Sequence, residues 1–221
     1  MSEIFIGRQP IYDRKLNVYG YELLFRAAHT NRADITDGDK ATSDVIVNAF
    51  MEIGLDNIVN KRLAFINLTR SFFVDNRCIS LPKDRVVLEL LEDIEADEEV
   101  LQGVKRLSEQ GYTIALDDFI YHEALRPLVQ LAHIIKIDIM ALSNEEIRDH
   151  VKQLRQHSLS LLAEKVDTRE DFDFCMDPAS DYFQGYFFPQ PMAIRGQRLP
   201  NNRLAFLHLF PLLHNPAVSP A

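Results

Sequence analysis

Carboxylates, amides and a lysine recur inside runs that are otherwise apolar: Glu22, Asn67, Glu89, Asp117, Asp118, Lys136, Asp138, Glu164 and Gln184. Most sit near the carboxyl end of their run. A buried carboxylate costs several kcal/mol unless it is paired or bound to a metal. Gathered at one place, these acids would outnumber Lys136, and a hard divalent cation with oxygen ligands is the natural compensation. Asn67 suits a neutral oxygen ligand, and the Asp117-Asp118 pair is able to set one carboxylate between two cations. Taken singly, each residue reads equally well as part of a strand-end hydrogen-bond network. As a set they leave too much negative charge for such networks alone.

The elements that must position these groups follow from periodicity. Residues 4–6 and 18–25 alternate apolar and polar around Asp13-Arg14-Lys15-Leu16-Asn17, which predicts an opening hairpin. Val45, Ile46, Ala49, Phe50 and Ile53 then share one helical face that ends at Gly54. Beyond it, short apolar runs at 63–68, 86–91, 113–118, 134–139, 159–164 and 182–187 alternate with helical stretches such as 97–110, 143–157 and 168–176. Apolar strands separated by helices imply a parallel sheet covered on both faces, an α/β fold. With the hairpin the strands number about eight, enough to close a barrel, and a doubly wound sheet also fits that count. In a barrel all the carboxyl ends meet at one mouth, where active sites are built.

Composition removes several classes of function. The 221 residues are 47% hydrophobic and 26% charged, the balance of a folded domain rather than a disordered tail. A formal net charge of -9 opposes binding to a nucleic-acid polymer. Cys78 and Cys175 lie in apolar surroundings without a zinc-binding spacing, so they read as reduced, buried thiols. Residues 1–10 lack the pattern of a signal peptide, and charge interrupts every apolar run well short of the roughly 20 residues of a membrane span. The expectation is a cytoplasmic protein that does not bind membranes. The acids between Glu89 and Glu99 lack calcium-loop spacing and read as a solvated turn leading into a helix start.

The chain resembles the EAL domains, the cyclic-di-GMP phosphodiesterases, in a series of fragments that keep their order. Gln9-Pro10-Ile11 and Glu22-Leu23-Leu24-Phe25-Arg26 are similar to the family's Gln-Pro-Ile and Glu-Ala-Leu-Leu-Arg. Phe65-Ile66-Asn67-Leu68, Leu88-Glu89-Leu90-Leu91-Glu92 and Asp117-Asp118-Phe119 follow. Ile135-Lys136-Ile137-Asp138, Ala163-Glu164-Lys165-Val166-Asp167 and Gln184-Gly185-Tyr186 complete the series over about 180 residues. The resemblance implies a TIM-type (β/α)8 barrel with one antiparallel strand, spanning 1–200. It implies Mg²⁺ or Mn²⁺ held by Glu22, Asn67, Glu89 and Asp117, and a second ion held by Asp117, Asp118 and Glu164. Lys136 and Glu164 would be catalytic, and Gln9, Arg26 and Gln184 would meet substrate, cyclic-di-GMP. A homodimer is a further partner that the resemblance suggests.

The chain also departs from the family pattern. Leu23 replaces an alanine, Lys165 a glycine and Asp167 a glutamate. After Phe119 a glycine-bearing loop is replaced by Ile120-Tyr121-His122-Glu123-Ala124-Leu125, shorter by about two residues. Without its glycines this loop loses positive-φ freedom, and Glu92, which holds it in active relatives, remains. That loop form, with residues 199–210, resembles the EAL half of EAL–HDOD signalling proteins; 201–221 would be a terminal helix or linker leading to an HDOD domain. Three readings follow: a phosphodiesterase with weak turnover, a catalytically silent cyclic-di-GMP receptor, and a protein-interaction module. The retained site residues argue against the third, and the altered loop argues against fast turnover.

Overall fold

A computed structural model describes residues 3–26, 38–75, 81–176, 180–189 and 192–197. The opening hairpin pairs β1 (Glu3–Asp13) with β2 (Val18–Arg26). Its turn is held by Asp13, whose Oδ1 accepts the amides of Lys15 and Asn17, each at 2.8 Å. Six further strands continue the sheet in chain order: β3 (Leu63–Leu68), β4 (Val86–Leu90), β5 (Thr113–Leu116), β6 (Ile134–Asp138), β7 (Ser160–Glu164) and β8 (Tyr182–Phe183). From β2 to β8 each strand runs parallel to the next. β1 is antiparallel to both β2 and β8 and closes the ring into an eight-stranded barrel. A doubly wound sheet is thereby excluded.

The pleat sorts the chemistry. Ile11, Phe65, Val87, Ala115, Ile134 and Leu162, contributed by six different strands, pack together as the barrel's inner plug. Two positions nearer the mouth stand Gln9, Asn67, Glu89, Lys136 and Glu164 on those strands and Asp117 just past the end of β5. Side chains on a strand return to the same face every second residue, so an apolar inner layer is followed by a polar one. Between sheet and helices lies the larger apolar layer, which includes Ile66, Leu88, Ile114, Ile135 and Leu161.

The expected helices form with local reasons. In α4 (Glu98–Glu109), Asp97 caps the helix by accepting the Val100 amide at 2.9 Å. Ser143 and Glu146 form a capping box on α6 (Asn144–Leu154), and α7 (Arg169–Met176) follows β7. The helix before Gly54 is not continuous: α1 (Gly38–Val47) passes into a π-helical turn over Asn48–Glu52. Short helices α2 (Leu55–Val59), α3 (Arg70–Val74) and α5 (Arg126–Val129) complete the helical layer among the described residues. Cys175 is a buried free thiol, whereas Cys78 and residues 198–221, with the expected terminal helix, lie outside the described residues.

Two strands differ from expectation. β8 is only two residues long where six were expected, because the chain turns at Gly185 to lie against Val166. The Val166 amide donates to Gln184 O at 3.0 Å, and Phe187 donates to Val166 O at 3.0 Å. β9 (Met192–Gln197) was not expected; it pairs antiparallel with the first half of β1, outside the ring. No helix among the described residues is long and apolar enough to cross a membrane.

A Cβ on Gly185 would fall 2.1 Å from the Val166 carbonyl oxygen and 2.3 Å from its nitrogen, both rigid backbone atoms. Gly185→Ala is therefore expected to destabilise the barrel by about 2–3 kcal/mol in chemical denaturation, as overpacked sites do. It is also expected to displace the neighbouring Gln184 from the mouth.

Candidate active site

Lys136 is the hub of the mouth. Its side chain is 1% exposed, and its ammonium lies 2.6 Å from Asp117 Oδ1, 2.9 Å from Glu89 Oε1, 3.0 Å from Glu164 Oε1 and 3.8 Å from Glu22 Oε2. Glu22 is fixed by two amides: Asn67 Nδ2 donates to Oε1 at 3.0 Å and Gln184 Nε2 to Oε2 at 2.6 Å. Gln9 is cross-strand partner to Glu22. Gln9, Glu22, Glu164 and Gln184 line a cavity of about 420 Å³, rimmed by Met140 and Tyr186. The structure thus brings together every expected site residue except Arg26, which ends β2 but whose side chain lies outside the described ones.

Beside this hub, Asp117, Asp118 and Glu164 place carboxylate oxygens within 4.8 Å of one another. β5 stops at Leu116, short of the expected 118, because the chain turns there; Asp118 takes a positive φ of 39°. Two further residues join that Asp118 edge: Lys165 Nζ lies 3.2 Å from Asp118 Oδ2 and is also ion-paired with Asp138. Burial alone would lower the Lys165 ammonium, but the hydrogen bonds it donates to Asp138 and Asp118 outweigh it and push it up to about 12. The role of Lys165 was not legible beforehand; its one signal was a lysine standing where similar sequences carry glycine. Its own φ of 58° accounts for that glycine.

The remaining departures are accommodated. Leu23 packs in the sheet–helix layer, so its bulk lies on the opposite pleat face from Glu22. Asp167 Oδ1 accepts the Tyr186 amide at 2.9 Å and steadies the turn after β8. In the loop after Phe119, the Tyr121 amide donates to His150 Nε2 of α6 at 2.9 Å, and residues 119–125 adopt no positive φ. Glu92 is exposed on the turn after β4.

The electrostatics favour a further cation. Burial drives Glu89 well above the carboxylate range, opposed by Lys136 and reinforced by Glu22 and Asp117. Burial likewise raises Glu164 to about 8 against the pull of Lys136. Lys136 would be lowered by burial, but Glu164, Glu22, Glu89 and Asp117 hold it well above its ordinary value. Glu89 Oε2, Asn67 Oδ1 and Gln184 Oε1 are buried acceptors without a donor among the described residues. Oxygen donors with surplus negative charge are the coordination chemistry of Mg²⁺, Mn²⁺ or Ca²⁺, so the residues present fit such an ion.

A pH dependence follows. Between 4.5 and about 8 the folded chain keeps a proton on Glu164 that the unfolded chain has released. Stability in chelator is therefore expected to fall as pH rises through that window. Glu164→Gln should flatten this slope and raise the melting temperature at pH 8 by about 2–4 °C, the equivalent of roughly 1 kcal/mol in a domain of this size. Thermal melts in EDTA at pH 5.5 and 8 check both.

Comparison with known proteins agrees with the geometry. The family model for the EAL domain matches residues 62–191. The cyclic di-GMP phosphodiesterase CdgJ of Vibrio cholerae is 33% identical over 221 residues, 99% of this chain and 51% of that protein. The chain spans about half the length of the curated relatives it matches. Among solved structures, a standalone EAL protein of Vibrio cholerae O395 in its c-di-GMP bound form superposes with a TM-score of 0.68 at 21% identity, covering 86% of this chain and 93% of that one. Klebsiella pneumoniae BlrP1, in a manganese and cyclic-di-GMP complex, gives 0.68 at 20% identity over 90% of this chain and 60% of that one. With a barrel closed by an antiparallel first strand and acids ringed at its mouth, the chain belongs to the EAL domain family.

Proposed function

We propose that the chain binds cyclic-di-GMP across the barrel mouth and opens one of its phosphodiester bonds, slowly, to give the linear dinucleotide. The observation that carries this reading is the cluster of Glu22, Glu89, Asp117 and Glu164 around Lys136, on a barrel whose relative is named a cyclic di-GMP phosphodiesterase. Glu22, Asn67, Glu89 and Asp117 would hold one divalent cation, Mg²⁺ or Mn²⁺, and Asp117, Asp118 and Glu164 a second. When bound, such cations neutralise phosphate charge and lower the pKa of water.

The protein's own groups do the rest. Lys136, kept charged by its carboxylates, donates toward the attacking water or a phosphate oxygen as negative charge builds there. Glu164, 3.0 Å from the Lys136 ammonium, would take the water's proton in its ionised form. The water oxygen stays on phosphorus, the P–O bond to one ribose breaks, and the departing ribose oxygen takes up a proton from solvent. Glu22 is pre-set by Asn67 and Gln184 before any ligand arrives. Gln9, Gln184 and Arg26 meet the nucleotide. Slow turnover is supported by the loop after Phe119, which is drawn to α6 through His150 rather than carrying a glycine-rich path. Mn²⁺ should serve better than Mg²⁺, whose octahedral demand is stricter.

The same loop form supports reading the barrel as the EAL part of an EAL–HDOD signalling protein, and a cytoplasmic location and a homodimer are proposed from membership of the EAL family. Calorimetric titration of cyclic-di-GMP into the chain with Ca²⁺ present tests the binding half of the proposal. Saturable binding that disappears in EDTA is expected, and its absence would count against the reading.

A further inference from the structure

Lys136 covers four of the mouth carboxylates, but Asp118 is not among them. Among the described residues the ion pair of Asp118 is with Lys165, 3.2 Å away. Lys165 is delivered there by a fixed backbone. The residue before it accepts the Ile139 amide through Glu164 O at 3.3 Å, and the residue after it, Val166, donates to Gln184 O at 3.0 Å. Both Asp118 and Lys165 adopt left-handed backbone, φ 39° and 58°, a conformation that non-glycine residues hold only when their surroundings enforce it. Asp138, the other partner of Lys165, is itself oriented, since its Oδ1 accepts the Met140 amide at 2.8 Å. The ammonium is thus clamped between two carboxylates from β5 and β6 ends, at the edge of the Asp117, Asp118 and Glu164 cluster.

We infer that Lys165 is a tethered cation at Asp118, which lets this chain hold one divalent cation tightly and a second only weakly. The inference rests on the reading of the mouth as a divalent-cation site. Lys136 pairs with oxygens of both proposed cation sets, whereas Lys165 engages an oxygen of the second set alone. That pair must be given up before Asp118 ligates a metal, so the second ion meets an additional competitor that is part of the protein. The competition is graded rather than absolute, because the Lys165 side chain is 47% exposed and has solvent to swing into. Lys165 in this role determines cation stoichiometry, and through it the cation concentration at which both positions fill.

The test is a titration with Mn²⁺ alone, followed by calorimetry and by the loss of the free-Mn²⁺ electron paramagnetic resonance signal. The parent is expected to bind one Mn²⁺, with a second at least tenfold weaker. Lys165→Gln, which removes charge, should tighten the second by tenfold or more. Lys165→Gly should do the same while relieving the backbone, so a folding defect of the glutamine variant leaves the question open to measurement. Lys165→Arg should match the parent. Two equal sites in the parent, or neutral variants that bind as the parent does, would overturn the inference while leaving the metal reading intact. No Mn²⁺ bound by any of the proteins would overturn both.

Discussion

Lys136→Met is expected to destabilise the barrel in chelator by about 3–5 kcal/mol, the cost of stripping a buried ion cluster of its partner. In a domain of this size that is a fall of roughly 6–20 °C in melting temperature. Methionine nearly fills the volume, so the loss is not one of packing. Glu22, Glu89, Asp117 and Glu164 would face one another with the ammonium gone, and Glu89 is fully buried. The carboxylates can escape only by taking up protons, so the deficit should be larger at pH 8 than at pH 5.5. Mn²⁺ should recover part of it, because a cation replaces the missing charge. Turnover of cyclic-di-GMP should drop by about 10²–10³-fold even with Mn²⁺, the usual loss when a charge-stabilising donor is removed. Melts of the variant with EDTA and with Mn²⁺ check the first part. A variant as stable as the parent at pH 8 in EDTA would show that the mouth is not held together by this lysine.

Asp117→Ala should leave the stability of the cation-free protein nearly unchanged while impairing function as Lys136→Met does. Asp117 lies 2.6 Å from Lys136 but also raises the pKa of Glu89 and Glu164 by its charge. Its removal costs one ion pair and relieves two repulsions, so the cation-free protein should change little. It is, however, common to both proposed cation sets. The parent at a Mn²⁺ concentration 100 times its Kd should gain about 2.7 kcal/mol, or roughly 5–11 °C, and the variant should gain almost none. Hydrolysis should fall by at least about 10²-fold, since a reacting centre displaced by about 1 Å already costs that much. A full Mn²⁺-induced shift in the variant would remove Asp117 from the ligands.

Much of this site was legible because strand periodicity and chemistry coincide. Phe65 with Asn67, Val87 with Glu89, and Leu162 with Glu164 are i and i+2 pairs, so the inner apolar layer announces where the polar layer must point. The hairpin and the count of strands fitted both a barrel and a doubly wound sheet, and the closing of the ring with one antiparallel strand was legible through the resemblance to the EAL family. What escaped depends on contacts between distant segments. Lys165 meets Asp118 and Asp138 across two strand ends, and no local pattern states that pairing. β9 is held by β1 at the margin of the barrel, where Met192 is exposed and no alternation marks a buried face. β8 shortens because Gly185 turns against Val166, a tertiary contact that overrides the β-propensity of Tyr186 and Phe187. The π turn at Asn48–Glu52 keeps Val45, Ile46 and Ala49 buried while changing the hydrogen-bond ladder, which side-chain spacing does not register.

The most direct measurement is incubation of the chain with cyclic-di-GMP and Mn²⁺, with the nucleotides then separated by ion-exchange chromatography over several hours. The linear dinucleotide should accumulate with Mn²⁺, more slowly with Mg²⁺, and not at all in EDTA or with Lys136→Met on the same timescale. Cyclic-di-GMP left intact by folded protein saturated with Mn²⁺ would contradict the assignment of the mouth as a phosphodiesterase site.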